Sequence, residues 1–409
     1  MKLNTKITDK FDFLLFFSMI GLILLGLLAI KSSTYNHPYA SANFHKQLIF
    51  AVISLGVFFL IYFLPHRFMN LFAIPTYVIS IFLLLFVLIF GKTTYGAQSW
   101  IILGPIGFQP SELGKIALIL MLSHWLGKTN VTLDNVKGFS IAVAISLFMI
   151  FLILAQPDMG TAIIYMIITL ALFFWAGIDL FGLFVLLTPP LSVFLSFFGF
   201  WISLGGFVLI IILLFYFKKD LFTSITVFVI NLSSIFLFDI GIKLLKPHQQ
   251  RRILSFLNPY SDPLGSGYNA IQAKVAIGSG GLLGKGFMHG TQTQLHFIPE
   301  QWTDFIFSVI GEEFGFVGSA LVVILFAIIF YRILRIASRS KDFFSSLVAI
   351  GILTTLLIHF FINIGMNIGL TPVIGIPLPF MSYGGTALLS NVAMVAIVMN
   401  IYANNREYV

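Results

Sequence analysis

The chain has 409 residues and a formal net charge of +8; 59% of its residues are hydrophobic and only 9% are charged. A mean hydropathy of +1.02 excludes an ordinary soluble domain, and the absence of cysteine excludes disulfides and thiolate chemistry. We expect no nucleic-acid partner.

Apolar runs recur along the whole chain. Each has about 18 to 25 residues, long enough for a helix to cross a hydrocarbon core of ~30 Å. Because backbone groups in lipid must be hydrogen-bonded internally, these continuous runs predict helices. We therefore predict an all-α polytopic integral membrane protein whose residues 1–409 form a single domain. About twelve transmembrane helices are predicted, at 11–31, 45–64, 70–90, 110–127, 138–155, 159–177, 180–198, 200–217, 221–245, 305–330, 343–365 and 384–402.

The region 180–217 is the least regular part of this pattern. Pro189 and Pro190 interrupt its first half, and three glycines interrupt its second half. It is interpreted either as two spans or as one re-entrant pair.

Basic residues predict the orientation. Lysine and arginine recur in alternate short loops, from Lys6 before the first span to Arg406 after the last, which is the pattern of cytoplasmic loops. Both termini are therefore predicted to be cytoplasmic, and residues 246–303 form one large extracytoplasmic loop. Between Lys243 and Asp304 there are six basic and three acidic residues. This loop is either a solvated surface touching lipid headgroups or a site for an anionic ligand.

Ionisable residues at membrane depth are costly and so indicate function by default. In FQPSELGKIALIL, Glu112 and Lys115 are three residues apart on one face of the predicted helix. They form either a self-neutralising pair or a lysine that is held by the glutamate and directed into a polar cavity. Asp158, in QPDMGTA between two spans, is either a helix cap or a functional acid.

Four acids stand in HFIPEQWTDFIFSVIGEEFG, a stretch that opens a predicted span. At about 100° per residue, Glu313 falls opposite Asp304 and Glu312 about 80° away from it, and both are interpreted mainly as inter-helix hydrogen bonders. By itself, Asp304 at the mouth of the span fits a helix cap or a general base equally well.

Two glycine-containing segments have alternative interpretations. GSGGLLGKG, residues 278–286, fails the phosphate-loop pattern at Ser279 and Gly286, which indicates a flexible turn beside Lys285. PLPFMSYGGTALLS, residues 377–390, contains Ser382 before the last span. Its free backbone N–H groups suit an anion, but a simple kinked loop fits equally well.

The motifs GFQPSELGK, QPDMGTA, QRRILSFLNPYSDPLGSGYNAIQAKVAIGSGGLLGKG, GTQTQLHFIPEQWTDFIFSVIGEEFG and GIPLPFMSYGG occur in this order from about residue 95 to the C-terminus. Together they resemble the SEDS family of bacterial cell-wall polymerases, in its RodA-like branch. That family usually has about ten spans, so the resemblance implies that 180–217 is an extra pair.

The resemblance implies a peptidoglycan glycosyltransferase that polymerises lipid II at the outer face of the bacterial inner membrane, for cell elongation and shape. Its expected partner is a class B penicillin-binding protein with transpeptidase activity. Asp304 matches the catalytic aspartate of the family, whereas Glu112, Lys115 and Asp158 match its other functional residues.

Transfer from a lipid diphosphate requires a base near the acceptor hydroxyl and cations near the leaving group. We assign Asp304 as the base, and we expect Arg251, Arg252, Lys285 or Lys115 to bind the diphosphate. The sequence identifies no cofactor, and a divalent cation, Mg²⁺ or Mn²⁺, at the diphosphate is an open alternative. Ser382 is also predicted to bind substrate.

Two positions depart from the family pattern. Trp302 stands in QWTDF where many relatives have histidine, and GAQSW has Gln98 and Ser99 where arginines are usual. Two other functions were considered. A lipid II flippase would use the same cations without needing Asp304 as a base. A proton-coupled transporter would need acids along a two-sided path.

Overall fold

The computed structural model describes residues 10–35, 37, 40–94, 97–103, 106–128, 136–196, 199–217, 221–244 and 266–405. The predicted loop 246–303 is described only from residue 266 onward, and Arg251 and Arg252 lie outside the described residues.

Helices dominate the described chain, with one small sheet between two of them. In chain order the elements are α1 (Phe13–Thr34), α2 (Asn43–Tyr62), α3 (Arg67–Leu71), α4 (Ala73–Phe90), β1 (Lys92–Thr94), β2 (Ala97–Leu103), β3 (Ile106–Phe108), α5 (Pro110–Leu126), α6 (Val136–Ala155), α7 (Met159–Trp175), α8 (Leu180–Ser196), α9 (Phe200–Phe217), α10 (Leu221–Leu244), α11 (Ser266–Ser279), α12 (Thr291–Gln294), α13 (Ile306–Glu313), α14 (Gly315–Arg339), α15 (Phe343–Ile368) and α16 (Gly385–Asn404).

The predicted polytopic helical fold is confirmed. Within the described residues, eight helices are long and apolar enough to cross a membrane, and α7 and parts of α8 and α10 are shorter apolar helices. Together with α5, they fall at the predicted positions, except that α14 begins and ends later than the predicted span 305–330. The side of the membrane on which the termini and loop 246–303 lie stays a prediction.

The predicted single span 305–330 is wrong at its start, because two helices occupy it. α13 ends at Glu313 and α14 begins at Gly315, whose φ is +64°. Glycine adopts this left-handed conformation without the steric cost that other residues incur. The carbonyls released at the break are taken up by the glycine-rich turn: the N–H groups of Lys285 and Gly286 donate to the carbonyls of Glu312 and Glu313, both at 3.0 Å.

That turn, residues 278–286, packs tightly against the end of α13. A Cβ on Gly284 would lie 2.1 Å from the carbonyl oxygen of Glu313, and one on Gly280 would lie 2.0 Å from that of Gly311. The glycines are therefore needed for close approach to the end of α13, and no phosphate need be invoked to explain them.

A small antiparallel sheet accompanies the helices and leaves the fold class as predicted. β1, β2 and β3 pair in sequence order between α4 and α5. Gln98, at the altered GAQSW motif, donates from Nε2 to the carbonyl of Gly91 at 2.9 Å. In this chain, Gln98 therefore connects β2 to the residue that precedes β1.

Region 180–217 consists of two separate helices, α8 and α9, joined at Gly199 with φ +105°. Each is about 25 Å long, at 1.5 Å per residue, which favours two spans. With α10 they form a hydrophobic cluster of their own, made by Ile210, Leu214 and Val227. The main core lies elsewhere, and α15 and α16 are its most enclosed spans.

Candidate active site

Residues 372–384, between α15 and α16, form an irregular segment that we call the linking segment. Much of it is buried, including Ile376, Leu378 and Phe380. Irregular backbone is tolerated at membrane depth only where protein or a water-filled cavity surrounds it. The linking segment meets this condition because side chains of the surrounding helices hydrogen-bond to it, namely His359 and Asn363 of α15 and Gln47 of α2.

Asp304 is held through its main chain. Its carbonyl oxygen accepts hydrogen bonds from Nδ2 of Asn363 at 2.9 Å and of Asn367 at 3.1 Å, both on α15. Its carboxylate lies against the linking segment, since a Cβ on Gly375 would be 3.2 Å from Oδ2. Gly375 has φ +81°, so glycine suits this position for both space and conformation.

The two residues before Asp304 are tied to the same segment. The Ser382 hydroxyl donates to the carbonyl of Thr303 at 2.6 Å and accepts from the N–H of Leu378 at 2.8 Å. The N–H of Tyr383 donates to the carbonyl of Trp302 at 2.8 Å. Ser382 therefore fixes the approach to Asp304, while its predicted contact with substrate stays a prediction.

Glu112 and Lys115 form the self-neutralising pair. Lys115 Nζ lies 2.9 Å from Glu112 Oε1, and the Lys115 side chain is only 1% exposed. A third member of the group was not predicted from the sequence: His359 on α15, whose Nε2 lies 3.0 Å from Lys115 Nζ. Its Nδ1 lies 3.2 Å from the carbonyl of Pro377, which makes Nδ1 the donor and Nε2 the acceptor from lysine. A lone histidine within an apolar span was the available signal.

Asp158 is a helix cap. Its carboxylate accepts from the Thr161 N–H at 3.1 Å and from the Thr161 hydroxyl at 2.8 Å, at the start of α7. Burial raises the pKa of Asp158, and the bonds from Thr161 oppose that rise. The charges of Glu112 and Lys115 also act on it, so the three side chains belong to one electrostatic neighbourhood.

The linking segment joins these groups within four residues. Ile374 is so close to α7 that a Cβ on Gly160 would lie 2.8 Å from its Cγ2. Gly375 lies beside Asp304, and Pro377 accepts from His359. Asp304 therefore lies directly against this stretch of backbone, and Lys115 is linked to it through His359. The helix that Asp158 caps, α7, packs against the same stretch at Gly160.

Lys285 lies in a different environment. Its Nζ donates to Glu312 Oε1 at 2.8 Å and to the Thr291 hydroxyl at 2.8 Å. Glu312 also accepts from the N–H groups of Gln292 and Thr293, at 2.8 and 2.9 Å, and so caps the start of α12. Diphosphate binding by Lys285 stays a prediction. The same holds for Arg251 and Arg252, which lie outside the described residues.

Glu313 bonds to α1 through the Ser32 hydroxyl, as expected of an inter-helix hydrogen bonder. In the part of the chain that the structure describes, no three His, Asp or Glu side chains are grouped as metal ligands would be. A divalent cation at the diphosphate therefore stays a prediction.

Trp302 lines a cavity of about 500 Å³. Its ring packs edge-on against His37, with 4.7 Å between ring centroids and an interplanar angle of 71°. Tyr383 of the linking segment lines the same cavity. The residue that departs from the family pattern therefore has a definite place beside Asp304.

The chain matches the sequence model of the FtsW/RodA/SpoVE family, described as cell cycle protein, over residues 11–200 and 184–407. The peptidoglycan glycosyltransferase RodA of Treponema pallidum is 36% identical over 427 aligned residues, which cover 97% of this chain and 98% of that protein. The peptidoglycan glycosyltransferase MrdB of Escherichia coli K12 is 38% identical over 343 residues, covering 84% of this chain and 81% of that one.

Solved structures are similar over nearly the whole chain. A chain from a peptidoglycan synthase complex that coordinates polymerization and crosslinking is 27% identical, with a TM-score of 0.72 and coverage of 97% of this chain and 99% of that chain. The rod shape determining protein RodA of Thermus thermophilus shares the fold, at 23% identity and a TM-score of 0.65, covering 97% and 98% of the two chains.

Proposed function

As a member of the FtsW/RodA/SpoVE family, the chain is a multi-pass peptidoglycan glycosyltransferase of the bacterial inner membrane, and we propose that it polymerises lipid II with Asp304 as general base. The observation that carries this assignment is the fixing of residues 302–304 by α15 and the linking segment. A base must be held in position to receive a proton at the moment of attack.

The reaction is a single displacement. The 4-hydroxyl of the acceptor sugar attacks the anomeric carbon of the donor, and the bond between that carbon and the diphosphate oxygen breaks. The proton of the hydroxyl passes to the Asp304 carboxylate, and the electron pair leaves with the lipid diphosphate. Since the donor linkage is α and the product linkage is β, one inversion suffices and no enzyme nucleophile is needed.

The main-chain anchoring of Asp304 suits this role. Its carbonyl is bound by the amides of Asn363 and Asn367, and these two bonds do not depend on the charge of the carboxylate. The side chain can therefore gain and lose a proton while the residue stays in place.

We assign the Glu112–Lys115–His359 group to support of the linking segment, since the charge of Lys115 is matched by Glu112 and His359 reaches Pro377. Stabilisation of the leaving diphosphate is assigned to Arg251, Arg252 and Lys285, with Mg²⁺ or Mn²⁺ as an alternative.

Similarity to a chain of a peptidoglycan synthase complex implies that the protein works within such an assembly. Within this proposal, its partner is a class B penicillin-binding protein that cross-links the new strands. Polymerisation takes place at the outer face of the membrane, where loop 246–303 is expected to lie.

The test is Asp304→Asn in the full chain, purified with its partner and given labelled lipid II. Loss of a general base lowers turnover by about a hundred-fold to ten-thousand-fold. The matched control is Asp179→Asn, which changes an exposed aspartate whose side chain caps the start of α8. Normal polymer from Asp304→Asn would contradict the assignment. Transbilayer movement of lipid II by the wild-type chain without any polymer would favour a flippase.

A further inference from the structure

The cavity beside Trp302 is assembled from three distant parts of the sequence. His37 lies between α1 and α2 and Asn43 at the start of α2, His296 and Glu300 lie in the stretch before Asp304, and Tyr383 lies in the linking segment. Its volume of about 500 Å³ falls within the range of small-molecule sites. Because its walls come from three segments that are far apart in the sequence, the cavity exists only in the folded protein.

The chemistry of its walls selects the kind of ligand. Four rings line it, from His37, His296, Trp302 and Tyr383, while Asn43 and Glu300 supply polar groups and the remaining wall is apolar. No lysine or arginine is among these described lining residues. A diphosphate would need cations, and the Glu300 carboxylate would repel it.

Aromatic faces and a few hydrogen-bonding groups suit a neutral ring that carries hydroxyls and amides. The C–H faces of such a ring pack on aromatic side chains, and carboxylate and amide oxygens accept from its hydroxyls. A pyranose ring has this combination, whereas a lipid tail would leave Asn43 and Glu300 without hydrogen-bond partners from the ligand.

The rings are fixed against one another. His37 packs edge-on to Trp302 and also to His296, at 4.9 Å between centroids and 79° between planes. Trp302 is only 9% exposed, so its ring belongs to the wall of the cavity and does not lie free on the surface.

The backbone beside the cavity is held in an unfavourable conformation. His296 and Glu300 have φ of +54° and +52°, in the left-handed region that costs a residue with a side chain about 1–2 kcal/mol. Gln301 holds this stretch in place, since its Nε2 donates to the carbonyls of Thr293 and Ser33 at 2.9 and 3.1 Å. Strain that is maintained in this way is concentrated at ligand sites.

The cavity is also close to the proposed base. Trp302 precedes Asp304 by two residues, and two residues of extended chain span at most about 7 Å. A ligand packed on the Trp302 ring therefore lies within reach of the residue that accepts the proton.

We propose that this cavity binds a pyranose ring of the glycan and so positions it at Asp304. The proposal rests on the function proposed above, and it gives Trp302 a role as part of the sugar-binding wall. The ring belongs either to the lipid-linked donor or to the growing strand, which present the same sugar chemistry.

The test measures binding without turnover. The purified full chain is titrated with a labelled, lipid-free tetrasaccharide of uncross-linked peptidoglycan and, separately, with undecaprenyl diphosphate that carries no sugar. Trp302→Ala is expected to weaken tetrasaccharide binding about ten-fold, as removal of an aromatic contact does, while Trp302→Phe keeps most of it. Undecaprenyl diphosphate should bind equally to all variants.

Two further variants secure the interpretation. Trp201→Ala removes an 80% exposed tryptophan from α9 and should leave both affinities unchanged. Glu300→Gln preserves the shape of the wall and should also weaken tetrasaccharide binding. Equal tetrasaccharide affinity in Trp302→Ala and wild type, or an equal loss of both ligands, would overturn the proposal.

Polymerisation assays then distinguish the two sources of the ring. A raised KM for lipid II in Trp302→Ala places the donor sugar in the cavity, whereas shorter glycan strands at an unchanged KM place the acceptor there. If Asp304→Asn kept its activity, the base assignment would fail, yet the tetrasaccharide titration would still decide the role of the cavity.

Discussion

Asp304 and Glu312 lie eight residues apart in one acidic stretch, yet Glu312 is held through its carboxylate and Asp304 through its main chain. The Glu312 side chain is fully buried, and its carboxylate accepts from Lys285 and from the N–H groups of Gln292 and Thr293. The two bonds from α15 to Asp304 go instead to its main-chain carbonyl. A carboxylate that holds several elements together cannot change charge without cost, whereas a residue anchored by its backbone can.

The largest effect is expected from Glu312→Gln, which replaces the charge at the centre of this network. Removal of one partner of a buried ion pair costs about 3–5 kcal/mol. Because Lys285 is 26% exposed, we expect a loss of about 3 kcal/mol in the free energy of unfolding. Thermal unfolding in detergent would show it as a lower Tm.

Glu313→Gln is the matched control, because the Glu313 carboxylate accepts from the neutral side chains of Ser32 and Gln294. It should lower Tm less. An unchanged Tm in Glu312→Gln would contradict the assignment of its carboxylate to holding these elements together.

The next effect is expected from Gly375→Ala. The added methyl group would lie 3.2 Å from Asp304 Oδ2, and the backbone has φ +81°. Displacement of a reacting group by a fraction of an ångström to an ångström lowers turnover by about ten-fold to a hundred-fold. Turnover of lipid II by the purified complex is the measurement.

Gly177→Ala serves as its control. Gly177 has φ +90°, but a Cβ there would meet no atom within 4 Å. Both substitutions should lower the free energy of unfolding by about 1 kcal/mol through backbone strain. If Gly177→Ala lowered turnover as much as Gly375→Ala, strain alone would explain the result and the contact with Asp304 would be irrelevant.

The smallest effect is expected from Asn363→Ala, which removes one of the two amides on the Asp304 carbonyl and a 2.8 Å bond to the carbonyl of Ile376. Asn367 retains the second amide. We expect kcat to fall about ten-fold, which corresponds to one hydrogen bond of about 1.4 kcal/mol, at an unchanged KM.

Asn231→Ala is the comparison for that variant, since Asn231 is a buried asparagine bonded to Thr188 and Ser192 in the separate cluster of α8 to α10. It should lower Tm without changing kcat. Equal changes in kcat for the two variants would mean that Asn363 acts only through stability.

Local patterns predicted much of this molecule. The positions of the spans followed from runs of apolar residues, and the Glu112–Lys115 pair followed from their spacing on one helical face. The break at Gly315 was missed, because continuous hydropathy does not report a single left-handed residue. The small sheet was missed because its strands are short and lie between two long spans.

The site itself could be predicted only in part. Its acids were named from motifs, but His359, Asn363 and Asn367 were not, since each is a single polar residue within an apolar helix. Their function depends on what lies opposite: His359 meets Lys115, and the two asparagines meet Asp304.

The sequence by itself determined where the chain crosses the membrane and which charged residues lie in or beside the spans, because transfer free energy and helical periodicity act on neighbouring residues. The tertiary structure alone decided that the linking segment reaches Asp304, His359 and α7, and that Trp302 forms one wall of a cavity with His37. Those contacts join residues far apart in the chain, and only the packing of the helices brings them together.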